Sequence, residues 1–156
     1  VNEEFGRLFL RLFEGGSAHL ELVQEAPEED PGLEVVARLP GKPPRPLAAL
    51  SGGERVLVAL ALLFAMLRVH PSPFCVFDEV EAALDDANTR RFTTLLRELA
   101  EVTQIIIVTH NKGTMEAADV LYGVTMQEPG VSSVISVRLG GPHPERRPVE
   151  TVPVAR

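Results

Sequence analysis

Apolar positions along the chain fall into alternating helical and strand periods. Over Val1–Glu14, Phe5, Leu8, Phe9, Leu12 and Phe13 recur at helical spacing, which predicts an amphipathic helix stopped by Gly15-Gly16. Residues 18–25 and 33–39 alternate well enough to predict two strands, joined by an acidic turn over Pro27–Gly32. Four prolines in Leu39–Pro46 predict a loop. Ser51-Gly52-Gly53-Glu54 then opens a helix running to about Val69, where Pro71 and Pro73 end it. Its apolar residues occupy every face, so burial all round is expected.

Phe74–Phe77 has the short apolar run of a buried parallel strand. Asp85 or Asp86 can cap a helix near 87–101, with Phe92, Leu95, Leu96 and Leu99 on one face. Gln104–Val108 is a β-branched strand, Asn111–Ala118 suits a short helix, and residues 120–126 and 133–139 read as strands. The strand–helix–strand order around residues 74–108 is a βαβ unit, expected to be right-handed. The fold class is therefore α/β, a parallel βαβ core with flanking helices and additional strands. Residues 140–156 hold four prolines and little apolar content, and are expected to be a disordered tail.

Composition narrows the picture. The chain has 156 residues, 45% hydrophobic and 24% charged, which suits one globular domain and excludes collagen-like, wholly disordered and disulfide-scaffold classes. Fifteen basic residues against 22 acidic ones give −7, which argues against wrapping DNA by bulk charge. A local basic patch, or a DNA surface made jointly with another chain, stays open. Residues 1–34 carry nine acids and two bases, so that segment alone accounts for the imbalance. The single cysteine, Cys75, lies in an apolar run and reads as a small buried hydrophobe; nothing suggests secretion. The longest apolar run, Val56–Leu67, has 12 residues against the roughly 20 of a membrane span. With no initiator Met and no signal-peptide pattern, the expectation is an excised piece of a longer, cytoplasmic protein.

Four short elements carry candidate chemistry. Ser51-Gly52-Gly53-Glu54 starts a helix, where free backbone N–H groups and the positive dipole end favour a phosphate, two glycines permit close approach, and Ser51 adds a hydroxyl. Alone, this is equally a capped helix after a loop. Phe74–Glu79 is an apolar strand ending in two acids at the carboxyl edge, where open α/β sheets bind ligands. One carboxylate, Asp78, can hold Mg²⁺ and the next, Glu79, can polarise a water. On a continuing strand their side chains leave on opposite faces, so their roles split. Ala83-Leu84-Asp85 follows, and Asp85 or Asp86 also serves as a cap. Ile105–His110 is a second apolar strand, which should bring His110 to the same edge as Asp78.

In this order and spacing the elements resemble the second half of an ABC-type ATPase head: Leu50–Glu54 as signature motif, Phe74–Glu79 as Walker B strand, Ala83–Asp85 as D-loop and His110 as switch histidine. Further stretches narrow the resemblance. Val1-Asn2-Glu3-Glu4-Phe5, Leu12–Ala18, Ala59–Ala65, Phe77–Asn88 and Met115–Met126 are similar to the C-terminal head lobe of bacterial SMC (structural maintenance of chromosomes) proteins, over about residues 1–139. Residues 1–14 would then end a coiled-coil-proximal helix, and 140–156 match nothing in that family.

The resemblance implies ATP and Mg²⁺ as cofactors. Asp78 would support Mg²⁺, Glu79 would be the general base, and His110 would contact the γ-phosphate. Ser51, Gly52, Gly53 and Glu54 would serve the nucleotide of an opposing head, with Asp85 near the seam. It implies as partners an N-terminal P-loop lobe of the same protein, a second head in a homodimer, a kleisin subunit and DNA, with no membrane and a cytoplasmic, nucleoid-associated location. No Gly-x-x-x-x-Gly-Lys-Ser/Thr occurs here: Gly41-Lys42 has Val36 five residues earlier and Pro43 after it. The equivalent lobe of a coiled-coil DNA-repair ATPase is the alternative; a transporter subunit, which carries P-loop and signature in one uninterrupted domain, fits less well.

Overall fold

A computed structural model describes residues 1–24, 31–128, 130–139 and 146–148. Along the chain come α1 (Asn2–Phe13), β1 (Ser17–Val23), β2 (Gly32–Arg38), β3 (Arg45–Pro46), a 3₁₀ turn (Leu47–Ala49), α2 (Gly52–Val69), β4 (Phe74–Asp78), α3 (Asp86–Leu99), β5 (Gln104–Val108), α4 (Lys112–Glu116), β6 (Val120–Glu128), β7 (Val131–Arg138) and β8 (Arg146–Pro148). The architecture is mixed α/β, and the chain divides into two compact units, residues 1–111 and 112–156.

In the first unit, α1 buries Phe5, Leu8, Phe9 and Leu12, the stripe that its spacing predicts. Glu3 and Glu4 in its first turn and Arg11 in its last complement the helix dipole. Asn2 pins the helix start to β1, accepting from Leu20 N at 2.8 Å and donating to Leu20 O at 3.2 Å. β1 and β2 pair antiparallel from Ser17↔Arg38 to Val23↔Gly32, and β3 adds to β2. The acidic turn predicted between β1 and β2 lies mostly outside the described residues.

The core is centred on α2. Phe64 of α2, Phe77 of β4 and Phe92 of α3 form an aromatic cluster with centroids 5.8 to 6.4 Å apart. All three are buried, each contributing roughly 1.5–3 kcal/mol through burial. Arg11 grips Glu98 at 2.5 and 2.8 Å, and Arg68 spans Glu98 at 2.7 Å and Glu4 at 3.1 Å. The Arg11 hydrogen bond holds the Glu98 carboxyl below the ordinary range. Such partly exposed pairs are worth about 0–1 kcal/mol each, so they set how α1, α2 and α3 lie together more than they stabilise them.

β4 and β5 pair in parallel, Phe74↔Gln104 through Asp78↔Val108, with α3 as the crossover. Here two expectations change. β4 was expected to be buried, but only Phe77 is; Phe74, Val76, Ile106 and Val108 form an exposed apolar face. The α2–α3 layer covers one side of the two-stranded sheet and nothing among the described residues of this unit covers the other. α2 likewise is not buried all round: Ala59, Met66 and Val69 are exposed, because its packing partners cover only part of its circumference. Cys75 is half-buried and packs against the core.

In the second unit, β6 and β7 form a hairpin with a bulge between Met126 and Glu128, and Leu139 N donates to Asp119 O at 2.8 Å. β8 pairs with β7, Ile135↔Pro148 to Val137↔Arg146, inside the segment where no regular element was expected. The rest of that expected tail lies outside the described residues. The sequence also missed β3, for one reason: both short strands contain proline, which cannot donate to a ladder yet is tolerated on an edge.

Gly16 closes the α1–β1 connection with φ 75°, and a Cβ built there would lie 2.1 Å from the Arg38 carbonyl oxygen. Gly16→Ala is expected to cost at least roughly 1–3 kcal/mol of stability. Denaturant unfolding of the chain measures it, and a loss below about 0.5 kcal/mol would contradict the close approach.

Candidate functional site

Ser51 is the N-cap of α2, with extended backbone (φ −64°, ψ 163°) and a reciprocal capping box. The Glu54 N–H donates to Ser51 Oγ at 3.4 Å, and the Ser51 N–H donates to Glu54 Oε2 at 2.9 Å. Lys42 Nζ holds the other Glu54 oxygen at 2.9 Å. Both oxygens of Glu54 are thus engaged in holding the helix start. Ser51 Oγ accepts there from Glu54 N, and its one O–H can turn either to the Glu54 carboxylate or outward. The glycines differ: a Cβ on Gly52 would meet nothing within 4 Å, whereas one on Gly53 would lie 2.9 Å from the Ala83 carbonyl oxygen. Gly52 leaves room for something to approach the helix N-terminus, and Gly53 lets that terminus pack against the turn after β4.

β4 ends at Asp78, opposite Val108. Glu79 leaves the strand with φ 47°, while its N–H still donates to Val108 O at 2.9 Å. The alternation expected to separate Asp78 from Glu79 therefore does not operate; the left-handed turn at Glu79 does the separating. Positive φ in a non-glycine residue at a sheet edge is a strained feature of the kind found at functional sites. His110, two residues beyond β5, lies with Nδ1 3.4 Å from Glu79 Oε1. Both are well exposed, at 75% and 56% of their side-chain surface. Asp85 settles the capping choice: it is the N-cap of α3, accepting from Asn88 N at 2.8 Å.

The structure thus unites Glu79 with His110, sets Asp78 one residue earlier on the same edge, and packs Gly53 against Ala83. Among the described residues no hydrogen bond or ion pair joins Ser51, Glu54 or Asp85 to Asp78, Glu79 or His110. A cleft of about 400 Å³ lies between α2, at Val56, Ala59 and Leu63, and the turn, at Glu79, Val80 and Ala83. No group of three or more His, Cys, Asp or Glu among the described residues could cage a metal. Asp78, a single hard carboxylate, fits Mg²⁺ held jointly with phosphate oxygens and water rather than by protein alone. Lys42, Glu81 and Thr109 also belong to this region and were not singled out from sequence. Lys42 sits in a proline-rich loop without periodicity; Glu81 is the second acid after β4, which is a usable signal.

The Ser51 backbone N–H, then Lys42, then the Ser51 hydroxyl hold the Glu54 carboxyl at about 2, down from 4.5. A carboxyl whose pKa falls on folding contributes its full stability above pH 4.5 and loses it as pH falls toward 2. Glu54→Gln should therefore be less stable than the parent chain at neutral pH, and the gap should close between those limits. Thermal melts of both proteins from pH 7 to 2 test this; a gap that widens in acid would contradict it.

The chain is similar to known proteins over most of its length. Residues 20–133 match the family described as the RecF/RecN/SMC N-terminal domain. The chromosome partition protein Smc of Desulfitobacterium hafniense is 54% identical over 147 residues, 94% of this chain, which spans 12% of that protein's length. A structure solved in work on ATP-driven dimerization and DNA-stimulated activation of SMC ATPases is 40% identical with a TM-score of 0.77, covering 88% of this chain and 83% of that one. The Pyrococcus furiosus Smc head domain with an extended coiled coil, bound to the C-terminal domain of ScpA, is 42% identical with a TM-score of 0.79, covering 88% of this chain and 34% of that one. On the extent of the family match, supported by this fold, the chain belongs to the RecF/RecN/SMC family and is homologous to the heads of bacterial Smc proteins.

Proposed function

We propose that this chain is the C-terminal lobe of an Smc ATPase head, acting in chromosome partition on DNA. The observation that carries the reading is the Glu79–His110 pair on one strand edge, with Asp78 beside it and a capped, glycine-opened helix start on the same lobe. The choice of lobe rests on motif content: Ser-Gly-Gly-Glu, Asp-Glu and His are here, while the lysine-bearing phosphate loop is not. The exposed apolar face of β4 and β5 supports the same reading, since a P-loop lobe docked there would continue the sheet's burial.

In this reading ATP is the substrate. Mg²⁺, held by Asp78 and the phosphates, would neutralise charge on the transferred phosphoryl group. Glu79 accepts the proton of the attacking water, and His110 donates a hydrogen bond toward the γ-phosphate. The Ser51 hydroxyl and the N–H groups of Gly52 and Gly53 bind the γ-phosphate presented by a second head, with Glu54 holding that helix start in place. Asp85 keeps α3 and the turn before it in register near the seam between heads. The partners are then the P-loop lobe, a second head, DNA and a kleisin subunit of the kind that ScpA provides to the Pyrococcus head, and the setting is the cytoplasmic nucleoid. No helix among the described residues is long and apolar enough to cross a membrane.

The chain alone should bind ATP weakly and hydrolyse none, and adding the P-loop lobe should restore turnover. In that two-lobe head Glu79→Gln should lower hydrolysis by at least about 10²-fold while ATP-bound dimers accumulate. Asp78→Asn should instead weaken Mg²⁺-ATP binding. Nucleotide affinity and turnover measured for both variants decide it: robust hydrolysis by the chain alone, or normal turnover in Glu79→Gln, would sink the assignment.

Ser51→Arg places a bulky cation where the opposing γ-phosphate docks. It should leave nucleotide binding to its own head intact and block ATP-dependent dimerization. Light scattering of the two-lobe head with ATP reads this directly, and a variant that dimerizes like its parent contradicts the role given to α2's start.

A further inference from the structure

Among the described residues one charged side chain is buried, and it is not in the machinery above. Glu81 is 4% exposed, two residues past Glu79, in a region where Asp78, Glu79, Asp85 and Asp86 are all exposed. Carboxylates are rarely buried without a partner. The partner here is the Thr109 hydroxyl, which donates to Glu81 Oε1. The same hydroxyl oxygen accepts the Asn111 N–H at 3.0 Å. Glu81 Oε2 has no hydrogen-bond partner among the described residues.

The chain path gives this bond its meaning. The turn after β4 is built from Ala82 N donating to Glu79 O at 3.1 Å and Leu84 N donating to Glu81 O at 2.9 Å. Glu79 is thus held in its left-handed conformation by a turn whose one buried polar anchor is Glu81. The loop after β5 is Thr109-His110-Asn111, and Thr109 Oγ1 bonds backbone within it while reaching across to Glu81. The main-chain ladder between the two segments ends with Glu79 N on Val108 O. Past that point the two segments meet through the exposed Glu79–His110 contact at 3.4 Å and the buried Glu81–Thr109 bond. A long exposed contact is screened and geometrically loose, whereas a buried hydroxyl–carboxylate bond is strong and directional. An apolar residue at 81 would fill the space and avoid the desolvation of a carboxyl, but it would not fix the direction of the 109–111 loop.

We propose that Glu81 is a positioning residue for hydrolysis: through Thr109 it ties the turn that carries Glu79 to the loop that carries His110, and so fixes the spacing of the two. The role rests on the ATPase reading of Glu79 and His110. Glu81 touches neither substrate nor metal; its effect passes through the loop geometry.

Two measurements test it. In the two-lobe head, Glu81→Leu and Thr109→Val should each lower kcat by about 10- to 100-fold, the range expected when a reacting group is misplaced by about 1 Å, with KM changed less than about threefold. The double variant should be no worse than either single one, because both remove the same bond. Glu81→Gln keeps an acceptor oxygen and should recover most of the lost turnover. Normal kcat in Thr109→Val, or additive losses in the double variant, overturns the proposal; Thr109→Val is nearly isosteric and carries the test should Glu81→Leu not fold. The second measurement uses the 156-residue chain without nucleotide. Amide exchange at Asn111 should quicken by at least about tenfold in Glu81→Leu and Thr109→Val, while Ile106 in β5 keeps its protection. Unchanged exchange at Asn111 overturns the tie whatever the ATPase result. Quickened exchange with turnover indifferent to Glu79, His110 and Glu81 alike leaves the tie standing but refutes the ATPase reading, and the positioning role with it.

Discussion

Everything at the candidate site depends on the parallel pairing of β4 with β5. A parallel pair cannot be closed by a tight turn; it needs a crossover, and α3 supplies it. The crossover is anchored where Phe92 stacks on Phe64 and meets the edge of Phe77. That cluster fixes the register in which Asp78 lies opposite Val108. Once it is fixed, both strands release their chains at the same edge, and Glu79 and His110 emerge within 3.4 Å of each other. A slip of one residue would turn every side chain of β4 to the other face and move Phe77 out of the core.

A second consequence follows from covering only one side of that pair. Cys75, Phe77, Ile105 and Ile107 pack toward the helices, and Phe74, Val76, Ile106 and Val108 stay open. Parallel sheets are normally covered on both faces. On the proposed reading, the P-loop lobe covers this face.

The starts of α2 and α3 are each held by a capping side chain. Ser51 caps α2, and the reciprocal bond from Glu54, reinforced by Lys42, depresses the Glu54 carboxyl far enough to keep it charged in all but strong acid. Asp85 caps α3 more simply, accepting from Asn88 N. In both places one side chain satisfies backbone donors that would otherwise be free, and in doing so it sets where the neighbouring turn can lie. At Ser51 the hydroxyl accepts from Glu54 N at the helix start and also steadies the Glu54 carboxylate, so the ligand role proposed for it draws on the same O–H.

Local information sufficed for the longer elements. The spacing of Phe5, Leu8, Phe9 and Leu12 gave α1 its buried stripe, the β-branched run 104–108 gave β5, and the order of Ser-Gly-Gly-Glu, Asp-Glu and His pointed to the candidate site residues, because periodicity and motif spacing are properties of neighbouring residues. Tertiary structure decided the rest. Glu79's left-handed turn replaced the expected strand alternation, since the ladder to Val108 and the turn after it leave no other path. Proline-bearing β3 and β8 found places as edge strands only because a partner strand already presented its edge. Glu81, indistinguishable in sequence from its acidic neighbours, became the buried one because the turn folded it inward onto a hydroxyl 28 residues away. Burial and long-range partners depend on which segments meet, and no local pattern carries that.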